Sequence, residues 1–354
     1  MNKISFPHIG SYYIVFKYLI KKLTSQEVLV PPKITRKTIE LGSKFSPDFV
    51  CAPFKYNLGN YIEALEQGAN IILQAGGGCR YGYYGELQEK ILKDLGYKFE
   101  FINFMENNHV SLKKIYKFSK RLNKKLNIIK YIYYLINTLL MILIIDKYEK
   151  YMRENMGFEI IKNSFKDTHK NLLNELNGNI SILKLIKINI KYNKLFKNIK
   201  INKPENHLKI GLVGELYSLM EPYSSCFIEE KLIEKQIEVY RKTNLTYLLI
   251  TKRFELKKSL RKTKKYLKYH LGADGTESVS LTYKLSQEKY DGIVHIKSFG
   301  CTPEINAMSI MNKVSEENNI PVIYFSFDSQ NSDVAVSTRI EAFYDMIKSK
   351  KDNY

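Results

Sequence analysis

Cysteine is scarce in this chain, with four in 354 residues, and they lie far apart. A secreted disulfide framework needs dense, paired cysteines, so that class is excluded. No C-x-x-C pair occurs, which removes the usual signature of a structural zinc site. No signal-peptide pattern opens the sequence, and a reducing cytoplasm is the expected setting. A Gly-Lys-Ser/Thr phosphate loop is missing too, and Gly211-x-x-Gly214 lacks the spacing of a dinucleotide fingerprint. The chain is therefore not expected to hydrolyse ATP by itself. Six scattered histidines give no basis for a Ser-His-Asp triad.

Arginine is scarce as well, so the formal charge of +20 comes mostly from lysine, concentrated between Lys113 and Lys203. Nucleic-acid binders gather Lys and Arg on one face with Arg and aromatics at the contacts. No zinc-finger, RNP or KH pattern accompanies the charge here, and no nucleic-acid partner is expected; an acidic protein partner suits the charge at least as well. Only one long apolar run exists, Tyr131 to Ile145, closed off by Lys130 and Asp146. It is shorter than the roughly 20 residues a bilayer needs. A helix buried in a bundle is the expectation, with no membrane partner.

What is present reads as α/β grammar interrupted by helices. Residues 1–108 alternate helical and strand-like signals: helices at Tyr12 to Leu23, Asn60 to Gln67 and Gly85 to Leu95, and a short buried strand at Asn70 to Gln74. Residues 109–205 are Lys-rich with almost no Pro or Gly, the signature of a helical insertion. Residues 206–354 return to α/β: strands at Leu208 to Gly214, Tyr247 to Thr251, Gly292 to Ile296 and Pro321 to Ser326, and helices at Ile228 to Lys235 and Glu304 to Glu317. The predicted class is two parallel-sheet domains, Rossmann-like, flanking the insertion. No internal sequence repeat is visible.

Three cysteines fall in Gly- or Pro-containing turns at predicted strand-to-helix junctions: Phe49-Val50-Cys51-Ala52-Pro53, Gly76-Gly77-Gly78-Cys79-Arg80 and Ser298-Phe299-Gly300-Cys301-Thr302-Pro303. In an open α/β sheet the crevice outside the carboxyl ends of the strands is where ligands bind and where helix N-termini aim free N–H groups. Such a setting favours thiolate, the form that ligates metal. Glycines permit the positive φ and close backbone approach that a bulky anion needs. Any one of these cysteines taken alone reads more readily as a small core residue than as a ligand. Three at the same kind of junction point to a shared metal or cluster site, with Cys51, Cys79 and Cys301 as ligands. Cys226, in a loop without glycine, reads as a structural thiol. The turn Tyr81-Gly82-Tyr83-Tyr84 offers aromatic contact area beside the site, for a partner or for packing.

These motifs carry a resemblance. Cys51-Ala52-Pro53-Phe54-Lys55 with Gly59 to Leu65, Gln74 to Tyr84, Phe299 to Glu304 and Ser337 to Phe343 together resemble the 2-hydroxyacyl-CoA dehydratase superfamily, with greatest likeness to stand-alone CoA protein activase, or acyl-CoA dehydratase activase-related, proteins. The resemblance implies two flavodoxin-like domains with a cluster site between them. It also implies an iron–sulfur cluster, [4Fe-4S] or double-cubane, on Cys51, Cys79 and Cys301. The implied partners are an ATP-hydrolysing activator with an actin-like fold, which donates a low-potential electron, an acyl-CoA or small substrate, and a homodimeric or paralogous subunit. A radical dehydration or reduction follows from that, with a non-catalytic electron carrier as one alternative and a structural zinc protein as another. The chain departs from its relatives at Gly272-Ala273-Asp274-Gly275, where they tend to carry a Gly-Gly-His-Gly loop.

Overall fold

The computed structural model describes residues 2–76, 83–106 and 109–352. They form two compact units, one of residues 1–142 and 173–187, the other of 143–172 and 188–354.

The first unit is built on strands β1 (Lys3–Ser5), β2 (Glu27–Val28), β3 (Ile71–Gln74) and β4 (Glu100–Asn103), followed by a small hairpin of β5 (Met105–Glu106) and β6 (His109–Val110). The sheet order is β2-β1-β3-β4 with every pairing parallel. β3 is buried at all four positions, as a central parallel strand covered on both faces must be. Helices α1 (Tyr13–Thr24), α2 (Arg36–Phe45), α3 (Ala52–Glu66), α4 (Tyr84–Asp94) and α5 (Leu112–Leu122) surround it. The side chains of β3 alternate between two cores: Ile72 joins Phe54, Leu58, Tyr61 and Leu92, while Ile71 and Leu73 join Ile4, Ile20 and Phe118.

Next come α6 (Ile128–Asn155), α7 (Ser164–Leu176) and α8 (Ile182–Lys197), each contributing residues to both units. The second unit then adds β7 (Leu208–Gly214), α9 (Leu216–Met220), α10 (Ile228–Glu234), β8 (Ile237–Arg241), α11 (Lys252–Lys262), α12 (Gly275–Gln287), β9 (Gly292–Ser298), α13 (Thr302–Asn318), β10 (Val322–Phe327) and α14 (Asp333–Asp352). Its sheet order is β10-β9-β7-β8, again all parallel. Numbered within its own unit, each sheet reads 2-1-3-4. This is the flavodoxin-like order, with the strand direction of travel reversing between the first and third strands. The topology therefore repeats where the sequence does not. In the second sheet Ile210 and Leu212 face α10 and α14, while Val213 and Ile293 face α12 and α13.

Three expectations are corrected. Cys51 does not follow a strand: Ser46 to Val50 form a turn between α2 and α3, and Phe49 is 98 % exposed. The reason is a close helix pair, in which a Cβ at Gly59 would lie 1.8 Å from the Thr38 carbonyl oxygen and one at Gly42 1.7 Å from that of Lys55. Thr38 Oγ1 also donates to Glu63 at 2.7 Å across this contact. Tyr247 to Thr251 is a wide helical turn running into α11, not a strand. Asp146 and Asn244 each accept a backbone N–H at 2.7 Å, from Thr246 and Tyr247 respectively, and such side-chain caps start a helix. Finally, the apolar run is part of the 28-residue α6, long and apolar enough to cross a membrane by length and composition. Only one face is buried: Met141 and Ile145 are inside, whereas Ile129 is 75 % exposed.

The second unit also encloses charges. Arg241 sits 3.0 Å from Glu229 and 3.7 Å from Glu149, and Arg153 lies 3.7 Å from Glu229. Beside them, burial and the neighbouring Glu229 charge push the Glu230 carboxyl up to about 7 from 4.5. A carboxyl whose pKa is raised on folding is protonated in both states below about 4.5, and stability is lost as pH rises through about 7. Glu230→Gln should thus stabilise the protein by up to about 3 kcal/mol at a pH of about 8 and by almost nothing near pH 4. Urea unfolding at both pH values checks this, and an equal gain at each would show that Glu230 is not held neutral.

Candidate metal centre

The switch point of the second sheet lies between the carboxyl ends of β7 and β9. Each strand delivers a polar residue there. Glu215 follows Gly214 and caps α9, accepting from the backbone N–H groups of Tyr217 at 2.8 Å and Ser218 at 3.1 Å. Its carboxylate also accepts from Ser218 Oγ at 2.7 Å and from Ser298 Oγ, at the end of β9, at 3.3 Å. Burial pushes the Glu215 carboxyl up to about 7 against these donors, and the Asp274 charge adds to the shift.

From β9 the chain turns through Gly300 at φ +77° into Cys301, the N-cap of α13, with Pro303 in the first turn. The positive φ expected at this glycine is present. The Cys301 thiol is pushed far above its ordinary range, first by burial, then by Glu215, with Glu304 and Asp274 adding. The backbone N–H of Glu304 offsets part of this. Lys297, buried on β9, has its ammonium pKa lowered by burial, with Cys301 and Glu304 opposing. Deeper in, His295 Nε2 pairs with Glu304 Oε2 at 2.6 Å, both fully buried.

The Gly272-Ala273-Asp274-Gly275 loop closes over this turn. A Cβ at Gly275 would lie 2.3 Å from the Pro303 carbonyl oxygen, so only glycine lets the loop backbone rest on the Cys301 turn. Asp274 then accepts from Leu216 N at 3.2 Å and from Lys252 Nζ at 2.6 Å, and Lys252 reaches Glu277 at 3.2 Å. Burial works against the Lys252 ammonium, yet Asp274 and Glu277 together hold its pKa above the usual value. Sequence reasoning missed Glu215, Lys252 and the His295–Glu304 pair. The Gly-Glu step directly after a buried strand was the available signal for Glu215. Lys252 was hidden by the strand expected over Tyr247 to Thr251.

Cys51 is the N-cap of α3, with Pro53 at the start of that helix and its side chain partly buried against the core around Phe54 and Leu58. Cys79, with Gly77, Gly78 and Arg80 to Gly82, lies outside the described residues. Of the aromatic turn, Tyr83 is exposed, while Tyr84 packs edge-on to Phe54 at 4.8 Å and belongs to the core. Cys226 ends a short 3-10 turn in the left-handed region and lies partly buried against the second unit's core. Among the described residues no three His, Cys, Asp or Glu side chains gather closely enough to hold a metal ion.

Carboxylates press on the Cys301 thiol. The same carboxylates and burial that keep it protonated would favour a positive ion in place of the proton, since opposite charge removes the cost of the buried anion. The N–H of Glu304 stands ready for a sulfur that carries charge. In metal-stripped, fully reduced protein, Cys301 should alkylate with iodoacetamide at least about tenfold more slowly near pH 8 than a cysteine in an unstructured peptide, because the thiolate is the nucleophile. Glu215→Gln should speed it. Peptide-like reactivity of Cys301 would contradict this electrostatic picture.

Residues 265–347, which run from the end of α11 into α14 and include the Gly272 loop and Cys301, match the family 2-hydroxyglutaryl-CoA dehydratase, D-component. No curated protein matches the chain. Over residues 265–347 the family match bears out the resemblance to the 2-hydroxyacyl-CoA dehydratase superfamily.

Proposed function

We propose that this component of the 2-hydroxyacyl-CoA dehydratase superfamily holds an iron–sulfur cluster, [4Fe-4S] or double-cubane, on Cys51, Cys79 and Cys301, and that an ATP-hydrolysing activator reduces it. The supporting observation is positional. Cys301 follows the third strand of its 2-1-3-4 sheet by three residues, and Cys79 follows the third strand of the other sheet by five. Third-strand ends border the switch point, where open α/β sheets bind ligands. Cys51 begins a helix, a position at which N–H groups favour thiolate.

A bound cluster of this kind supplies one-electron transfer. The chain's own residues supply the rest. Glu215, anchored by two backbone N–H groups and two hydroxyls, holds or releases a proton at its carboxylate near neutral pH. Lys252 and Asp274 fix the loop over Cys301 and neutralise one carboxylate of the crevice. An acyl-CoA or a small oxygenated molecule is the proposed substrate class, as in the superfamily that the family match supports. The likeness to activase-related proteins is consistent with a stand-alone component.

Isolated without oxygen, the protein should be brown and contain iron and acid-labile sulfide in about equal amounts. Cys51→Ala, Cys79→Ala and Cys301→Ala should each remove most of the iron, while Cys226→Ser should retain it. Zinc in place of iron, or equal sensitivity at Cys226, would overturn the ligand assignment. ATP turnover offers a second check: the purified chain alone should show none, since no phosphate loop exists in its sequence. Robust hydrolysis by the chain would put the activator role inside it.

A further inference from the structure

Lys297 is a buried cation that the chain leaves without a counter-charge. It lies on β9 at 4 % exposure, and among the described residues its ammonium makes no hydrogen bond or ion pair. Lysine is almost never buried to this degree unless it is paired. The contrast is with Lys252, which is less buried and is held by both Asp274 and Glu277.

Strand geometry fixes the side on which it stands. Side chains alternate along β9: Ile293 packs with residues of α12 and α13, and His295 pairs with Glu304 of α13, so Lys297 continues that face at the carboxyl end of the strand. The charges acting on it are those of Cys301 and Glu304. Glu304 is already committed, since its Oε2 is paired with His295 Nε2 at 2.6 Å. A neutral water can accept a hydrogen bond from a buried ammonium, yet it leaves the cost of the charge in place. The charge that balances Lys297 therefore has to come from outside the chain, on the side where Cys301 stands.

We infer that Lys297 donates to an anionic acceptor seated on the Cys301 turn, and that this acceptor is a sulfide of the iron–sulfur cluster proposed above, whose reduced state the ammonium stabilises. The inference rests on that reading of Cys301. A substrate oxyanion offers the same acceptor chemistry, but the depth of Lys297 favours a resident group over one that enters and leaves at each turnover. Charge and hydrogen bonds at the sulfurs are what set a cluster's potential. Cys301 would ligate, and Lys297 would set how readily the ligated group takes up one electron from its reductant.

Lys297→Met keeps the stem of the side chain and removes the charge. In anaerobically isolated protein it should retain iron, unlike Cys301→Ala. At a fixed potential, set with dithionite and redox dyes and without substrate, the ratio of reduced to oxidised cluster read by EPR should fall at least about tenfold, a drop of about 59 mV for a one-electron couple. A second measurement needs no cluster, so it decides even where the variant loads poorly. In the metal-stripped full chain the same substitution should raise the urea midpoint, because it removes an unanswered buried charge. Lys297→Gln should act in the same directions. A lysine that merely balances Glu304 would do the reverse, since its loss strands that carboxylate and lowers the midpoint. Iron retained with an unmoved potential, as a lysine that meets only a substrate oxygen would give, overturns the inference, and so does a lower midpoint in the stripped protein. Absence of iron from the wild type sinks the cluster reading itself, and this inference with it.

Discussion

The geometry around Cys301 depends on one backbone contact, that of Gly275 on Pro303. The missing Cβ lets the Gly272 loop rest on the turn that caps α13. From that seat Asp274 reaches both the first N–H of α9 and the Lys252 ammonium. The loop thus ties α9, α11 and α13 together at the strand ends. Without the contact, Lys252 would lose the partners that keep it charged despite its burial, and Glu215 would face a different field. A side chain at 275 would have to displace the backbone of residue 303, two positions from Cys301. The acidic and basic groups of the crevice are therefore set by a packing constraint before any ligand arrives.

Much of this was legible in the sequence, for a physical reason. Parallel strands covered on both faces read as short uninterrupted apolar runs, and Ile71 to Gln74 and Leu208 to Gly214 were visible as such. Gly300 announced its positive φ through its place between a strand and a cysteine. The failures share a cause as well. Cys51 was assigned to a strand end because Asp48-Phe49-Val50 has strand-like composition, yet the Gly42–Gly59 contact requires two helices there. Tyr247 to Thr251 is rich in residues that favour strands, but Asp146, about a hundred positions earlier, caps its first turn. Local composition carries no information about contacts of that range. The shared flavodoxin-like 2-1-3-4 order of the two sheets was implied by the family resemblance alone, with no residue repeat to show it, because topology follows packing rules and does not require matching residues.

Local and overall electrostatics have opposite signs in this protein. The chain carries +20, with its lysine excess between Lys113 and Lys203, whereas the groups that act on Cys301 are Glu215, Asp274 and Glu304. Screening in salt limits exposed charges to about 8 Å, so surface lysines elsewhere do not cancel three carboxylates at short range inside a protein. Lys252 neutralises part of the set, and the Glu215 carboxyl, raised to about 7, carries part of a proton. What remains is a mixed crevice: Glu215, Asp274 and Glu304 press on the Cys301 thiol, while the Lys252 ammonium and the buried Lys297 stand among them. Its local field is therefore set by paired charges of both signs at short range and not by the lysine excess of the chain.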